Sequence, residues 1–155
     1  MHRLHALRLA LLCCAIVAVL AACGSSSNQV QPDYGSLGNE ICGKFTDATK
    51  GNPSPAVRLK AVQTALDGLT ALRPPQSVES VYIRFLYNFR AAVNILKANQ
   101  QTITRLTKRL QTHPDDKVAA HRYAAITGRI KGHLFSAAND AYKLGMSRCR
   151  TALGG

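Results

Sequence analysis

The sequence predicts an all-α protein: an antiparallel helical bundle in which two short helices pack on a long two-helix hairpin. Three observations carry this expectation. Apolar residues recur at helical spacing in four successive segments, and no segment sustains the alternation of a half-buried strand. Breakers stand between the segments: "GNPSP" from Gly51, "RPP" from Arg73, and His113-Pro114. The last two segments are much longer than the first two.

The chain opens with "MHRLHALRLALLCCAIVAVLAAC". Arg3 and Arg8 give a positive start, and an uninterrupted apolar run follows from Leu9 to Ala22. At 14 residues the run is shorter than the about 20 that a spanning helix needs, and it fits the apolar centre of a signal peptide. Leu20-Ala21-Ala22-Cys23 resembles the lipobox of bacterial lipoproteins. The resemblance implies cleavage before Cys23, a diacylglycerol on its thiol, and palmitate-type acylation of its new amine. An ordinary secretory signal with an incidental cysteine is the alternative. Arg3 and Arg8 are not a twin-arginine pair, which points to the general secretion route. On this reading residues 1–22 are a removed signal peptide, residues 23–35 a lipidated flexible tether, and residues 36–153 the helical-bundle domain. The tether sequence "GSSSNQVQP" is polar and has no helical period, so it cannot bury enough surface to fold.

The first helix is expected from Ser36, as N-cap, to about Lys50, with Leu37, Ile41, Phe45 and Ala48 on one face. Ser54 caps the second, with Pro55 at the favoured first position and a stripe of Leu59, Val62, Leu66 and Leu69. The third runs from near Ser77 to about Thr112, on a stripe that includes Val78, Tyr82, Phe85, Phe89, Val93 and Leu106. Pro114 or Asp115 opens the fourth, whose face includes Tyr123, Ile126, Ile130, Leu134 and Ala141 and which is expected to end around Cys149. Asp115 and Asp116 suit the positive end of its dipole.

About 120 residues can close one core without a metal. Cys13 and Cys14 leave with the signal and Cys23 carries lipid, so Cys42 and Cys149 remain. Short connections make neighbouring helices antiparallel. The start of the first helix and the end of the fourth then share one end of the bundle, where Cys42 and Cys149 can form a disulfide. Two buried free thiols are the alternative.

Two long helices of about 35 residues reach about 50 Å, so two shorter ones cover only part of them. The remainder, roughly Lys97 to Lys131, either projects as a two-helix arm or breaks near Asn99 or Gly128 and folds back. "ANQQT", Ala98 to Thr102, interrupts the apolar stripe there. Losing Arg3 and Arg8 takes Lys+Arg from 20 to 18 against 8 acids, a formal net charge of +10. Besides Lys97, the candidate anion-binding residues of this half are Arg105, Lys108 and Arg109 before the turn, and Lys117, Arg122, Arg129 and Lys131 after it. Only Asp115 and Asp116 oppose them.

No Gly-rich phosphate loop, H-E-x-x-H or G-x-S-x-G motif is present, and no acid–base pair suggests an enzyme. His121 and His133 are 12 positions apart and cannot share a metal from one helix, so neither a metal nor a cofactor is expected. His113 belongs in the turn. Tyr82, Phe85 and Phe89 are candidates for an apolar pocket between helices, against the simpler role of core. Gly128 and Gly132 allow a close helix approach or a kink.

"ICGKF", "LTALRPP" and "AYKLGMSRC" together resemble small exported helical-bundle proteins of actinobacteria. That resemblance implies the architecture and brings no activity with it. The expectation is an extracytoplasmic lipoprotein, held to a bacterial membrane by lipid on Cys23, that binds or scaffolds at the cell envelope. Its partner would be an anionic lipid, an envelope polymer or a protein. Nucleic acid is not expected outside the cytoplasm. A carrier of an apolar small molecule is the alternative. Replacement Cys23→Ser should move the protein from the membrane to the soluble fraction or block its maturation. Unchanged processing and membrane retention on fractionation would remove the lipobox reading.

Overall fold

A computed structural model describes residues 33–51 and 53–155. The signal peptide, Cys23 and the tether up to Pro32 lie outside the described residues. Five α-helices and no strands occur among the described residues: α1 (Tyr34–Thr49), α2 (Pro55–Thr70), α3 (Glu79–Thr112), α4 (Lys117–Lys143) and α5 (Ser147–Ala152). A 3-10 turn, Gln76–Val78, leads into α3. The architecture is the all-α bundle expected, with α2 laid along α3 of the α3–α4 hairpin and α1 packed on α2 and α5.

α2 begins as its sequence requires. The Ser54 hydroxyl accepts from the Val57 amide at 3.4 Å, and Pro55 occupies the first turn. Val62, Leu66 and Leu69 are buried, and Ala65 joins them. α1 starts earlier than Ser36, after Asp33, although Asp33 makes no side-chain cap. Tertiary contacts outweigh the cap preference. The Tyr34 hydroxyl donates to the Leu144 carbonyl at 3.1 Å, and Asn39 spans the same turn through the Gly145 carbonyl and the Arg148 amide. Gly38 permits this approach, because a Cβ there would lie 2.8 Å from Met146.

The fourth helix corrects its expected end. It stops at Lys143 and not near Cys149, because Gly145 adopts a left-handed φ of 73°. The Met146 amide bonds the Ala141 carbonyl at 2.9 Å and the Gly145 amide bonds that of Tyr142 at 3.1 Å, a Schellman ending. Met146 is fully buried and closes the motif. The chain then turns into α5, which carries Cys149 back to Cys42. The disulfide has Sγ–Sγ 2.06 Å and Cα–Cα 4.9 Å, and both cysteines are buried.

α3 is continuous over 34 residues and α4 over 27. At 1.5 Å per residue these are about 50 Å and about 40 Å long. Neither helix breaks at Asn99 or at Gly128. Asn99 returns its amide to the Ile95 carbonyl at 2.9 Å, which satisfies the polar interruption inside the helix. Gly128 and Gly132 have nothing within 4 Å of where a Cβ would stand, so they mark no tight crossing. α1 and α2, at 16 residues each, cover only the part of the hairpin nearest the disulfide.

The disulfide closes a loop with a sequence separation of 107. Replacing both cysteines with alanine should therefore lower the unfolding free energy by about 2–5 kcal/mol. Urea denaturation of the double variant against the oxidised parent measures this. A difference under about 1 kcal/mol would mean that the link adds little to chain entropy.

Candidate functional site

The aromatic stripe of α3 resolves into two parts. Tyr82 and Phe85 are buried in a filled core, with ring centroids 6.0 Å apart. The Tyr82 hydroxyl donates to the Leu69 carbonyl, and burial pushes its phenol far above the ordinary range. These two residues are structural, which corrects their place in the candidate pocket. Phe89 stacks on Phe85 at 6.3 Å and is the one of the three whose ring reaches an open cleft. That cleft, about 490 Å³, lies one helical layer further along the hairpin. Val93 and Leu96 of α3 face Ile130 and Leu134 of α4 across it, and Phe45 and Leu153 close its ends. Thr49 and Arg58 supply its only polar side chains. A second cleft of about 680 Å³ adjoins it, sharing Arg58 and Leu96, and runs past Ile103 and Tyr123 to Lys108.

All seven candidate cations are exposed. No acid occurs on α3 beyond Glu79, and none on α4 before Asp140. Two polar contacts mark one edge of the hairpin. Arg84 donates to Asp140 through Nε at 2.9 Å and Nη2 at 2.7 Å, and His133 Nδ1 lies 3.2 Å from Asn88 Oδ1. Helical register continues that edge through Arg105, Arg109, Arg122 and Arg129. Lys117 lies at the tip. Lys108 borders the second cleft on the opposite edge, where α2 packs. Helical register thus sets four of the seven along one edge, with Lys108, Lys117 and Lys131 off it.

Within the row only Arg109 has a carboxylate partner, Asp116, which also caps α4 by accepting from the Ala119 amide at 2.8 Å. Asp116 is the residue that caps α4, one position later than Asp115 and two later than Pro114. The Ala119 amide and then the Arg109 guanidinium hold its carboxyl below the usual 3.8. Arg84–Asp140 went unseen in the sequence, where Asp140 is simply a polar residue inside a small, apolar run. Asp140 is the one buried charged residue among the described residues, and the bidentate guanidinium is its partner. His113 ends α3 in the turn, and His121 is exposed. Among the described residues no three His, Cys, Asp or Glu come together as a metal site, and no helix is long and apolar enough to cross a membrane. No known protein family matches the chain, and neither a curated protein nor a solved structure matches it.

The Asp116 cap contributes stability above pH 3.8, the ordinary value of its carboxyl, and loses it as pH falls through the lowered native value. The Ala119 amide resonance should titrate with a midpoint below 3.8. Asp116→Asn should abolish that titration. A midpoint at 3.8 or above would contradict the cap geometry.

Proposed function

We propose that this protein is a lipid-anchored, extracytoplasmic binding module. The uncovered half of its α3–α4 hairpin would engage an anionic component of the cell envelope. The observation that carries the reading is the row Arg105, Arg109, Arg122 and Arg129, exposed along an edge that α1 and α2 leave bare. Three of these guanidiniums have no carboxylate partner among the described residues. Guanidinium groups bind phosphate and carboxylate oxygens in a bidentate fork, and a row of them suits a repeating polyanion.

The direction of the arm favours a polymer over the membrane that holds the anchor. Tyr34 begins α1 against Leu144, at the disulfide end. The turn around His113 lies at the other end of α3, about 50 Å away at helical rise. A lipid on Cys23 would thus hold the bundle by its covered end and direct the arginines into the envelope. The Arg109–Asp116 pair ties the end of α3 to the start of α4 there.

Binding to long-chain polyphosphate and to phosphatidylglycerol vesicles, measured by titration at several salt concentrations, tests the proposal. The unanchored parent should bind polyphosphate with an affinity that falls steeply with salt. Changing Arg105, Arg122 and Arg129 to glutamine should weaken that binding by about tenfold or more while leaving the unfolding midpoint unchanged. Equal affinity of parent and triple variant would refute the arginine row as the site. A preference for the vesicles would reassign the arm to a membrane surface.

A further inference from the structure

The cleft beside Phe89 lies apart from the arginine row and has its own chemistry. Its walls are mainly apolar and come from five helices: Phe45 of α1, Val62 of α2, Phe89 and Val93 of α3, Leu134 of α4 and Ala152 of α5. Apart from Thr49 and Arg58 they offer a polar ligand nothing to bond. They hold about 490 Å³, within the range of small-molecule sites. The packing that fills the layer below, at Tyr82 and Phe85, does not continue here, because Ala92 and Ala152 present only methyl groups where larger side chains would close the space.

Charge sits only at the mouth. Arg58 is exposed on α2 and borders this cleft and the adjoining one. Lys108 stands at the far end of the adjoining cleft, and neither lining contains an aspartate or glutamate. An apolar slot with a cationic, acid-free rim complements one kind of molecule: a hydrocarbon chain ending in an anion. We infer that this cleft is a binding site for a single-chain anionic amphiphile, a fatty acid or a lipid with one chain inserted. The chain lies between Phe89 and Leu134, and the carboxylate or phosphate head meets Arg58. Burying each methylene contributes about 0.8 kcal/mol, so the slot supplies affinity and Arg58 supplies selection for charge. The site is independent of the arginine row, because that row lies on the edge away from α2.

The test uses the chain from residue 23 onward with Cys23→Ser, so that no covalent lipid competes; it retains every described residue. Fluorescent cis-parinaric acid should bind saturably at one equivalent and be displaced by oleate. Arg58→Glu should weaken oleate by about tenfold and change oleyl alcohol, which has the same chain and no charge, by less than about twofold. Ala152→Trp, near the chain end, should abolish parinarate binding by filling the slot. Arg58→Glu decides the matter alone if the tryptophan lowers the unfolding midpoint. Glutamine in place of Arg105, Arg122 and Arg129 should leave parinarate affinity intact. Unsaturable parinarate uptake, or equal loss of oleate and oleyl alcohol in Arg58→Glu, would overturn the inference. So would uptake by the Cys23→Ser chain but not by the lipidated one, which would assign the slot to the protein's own acyl groups.

Discussion

A mismatch in helix length governs this structure. One helix of 16 residues packs along a helix of 34 and a second of 16 packs on the first, so a core can form along only part of the hairpin. In that part Phe85, Leu69 and the disulfide are fully enclosed. Beyond it Leu106 and Ala119 are the buried side chains, and the two helices support each other alone. Burial of apolar surface is the main stabilising term in folding, so the bare half depends on the covered half. The Arg109–Asp116 pair links the end of α3 to the start of α4, and the Asn99 return to the backbone satisfies the polar interruption within α3.

The disulfide end meets the opposite requirement, many chain segments in a small volume. Gly38, Gly145 and Met146 let α1, the end of α4 and α5 converge within contact distance. The Schellman ending turns the chain so that Cys149 faces Cys42. A fourth helix continued straight to residue 149 would have carried that sulfur about 9 Å past the turn at helical rise. The covered end is thus closed and crosslinked, and the open end is charged. That polarity is what makes one end suited to an anchor and the other to a partner.

Much of this was legible in the sequence, and the misses have physical causes. The first three helices, the α2 cap at Ser54 and the pairing of Cys42 with Cys149 follow from local chemistry and simple topology, whereas the apolar period merges α5 with α4. The α4 ending was also written locally, in Lys143-Leu144-Gly145-Met146, where glycine stands just past a basic last turn. The apolar period that runs on through Leu144 to Cys149 masks it. The early start of α1 had no local signal, since it depends on Tyr34 meeting Leu144 across 110 positions. The cleft was misplaced by one layer for a similar reason. Spacing shows that Tyr82, Phe85 and Phe89 share a face, but whether that face is filled depends on what distant segments bring to it, Ala152 of α5 among them. The Arg84–Asp140 pair, 56 positions apart, is equally non-local.

The account turns on the uncovered hairpin edge being the contact surface. Nuclear magnetic resonance of the unanchored chain, titrated with short polyphosphate, tests that most directly. Shift changes should cluster on the guanidinium and amide signals of Arg105, Arg122 and Arg129 and leave Lys44, Arg148 and Arg150 at the disulfide end unmoved. Changes centred on the disulfide end, or spread evenly over every cation, would contradict it.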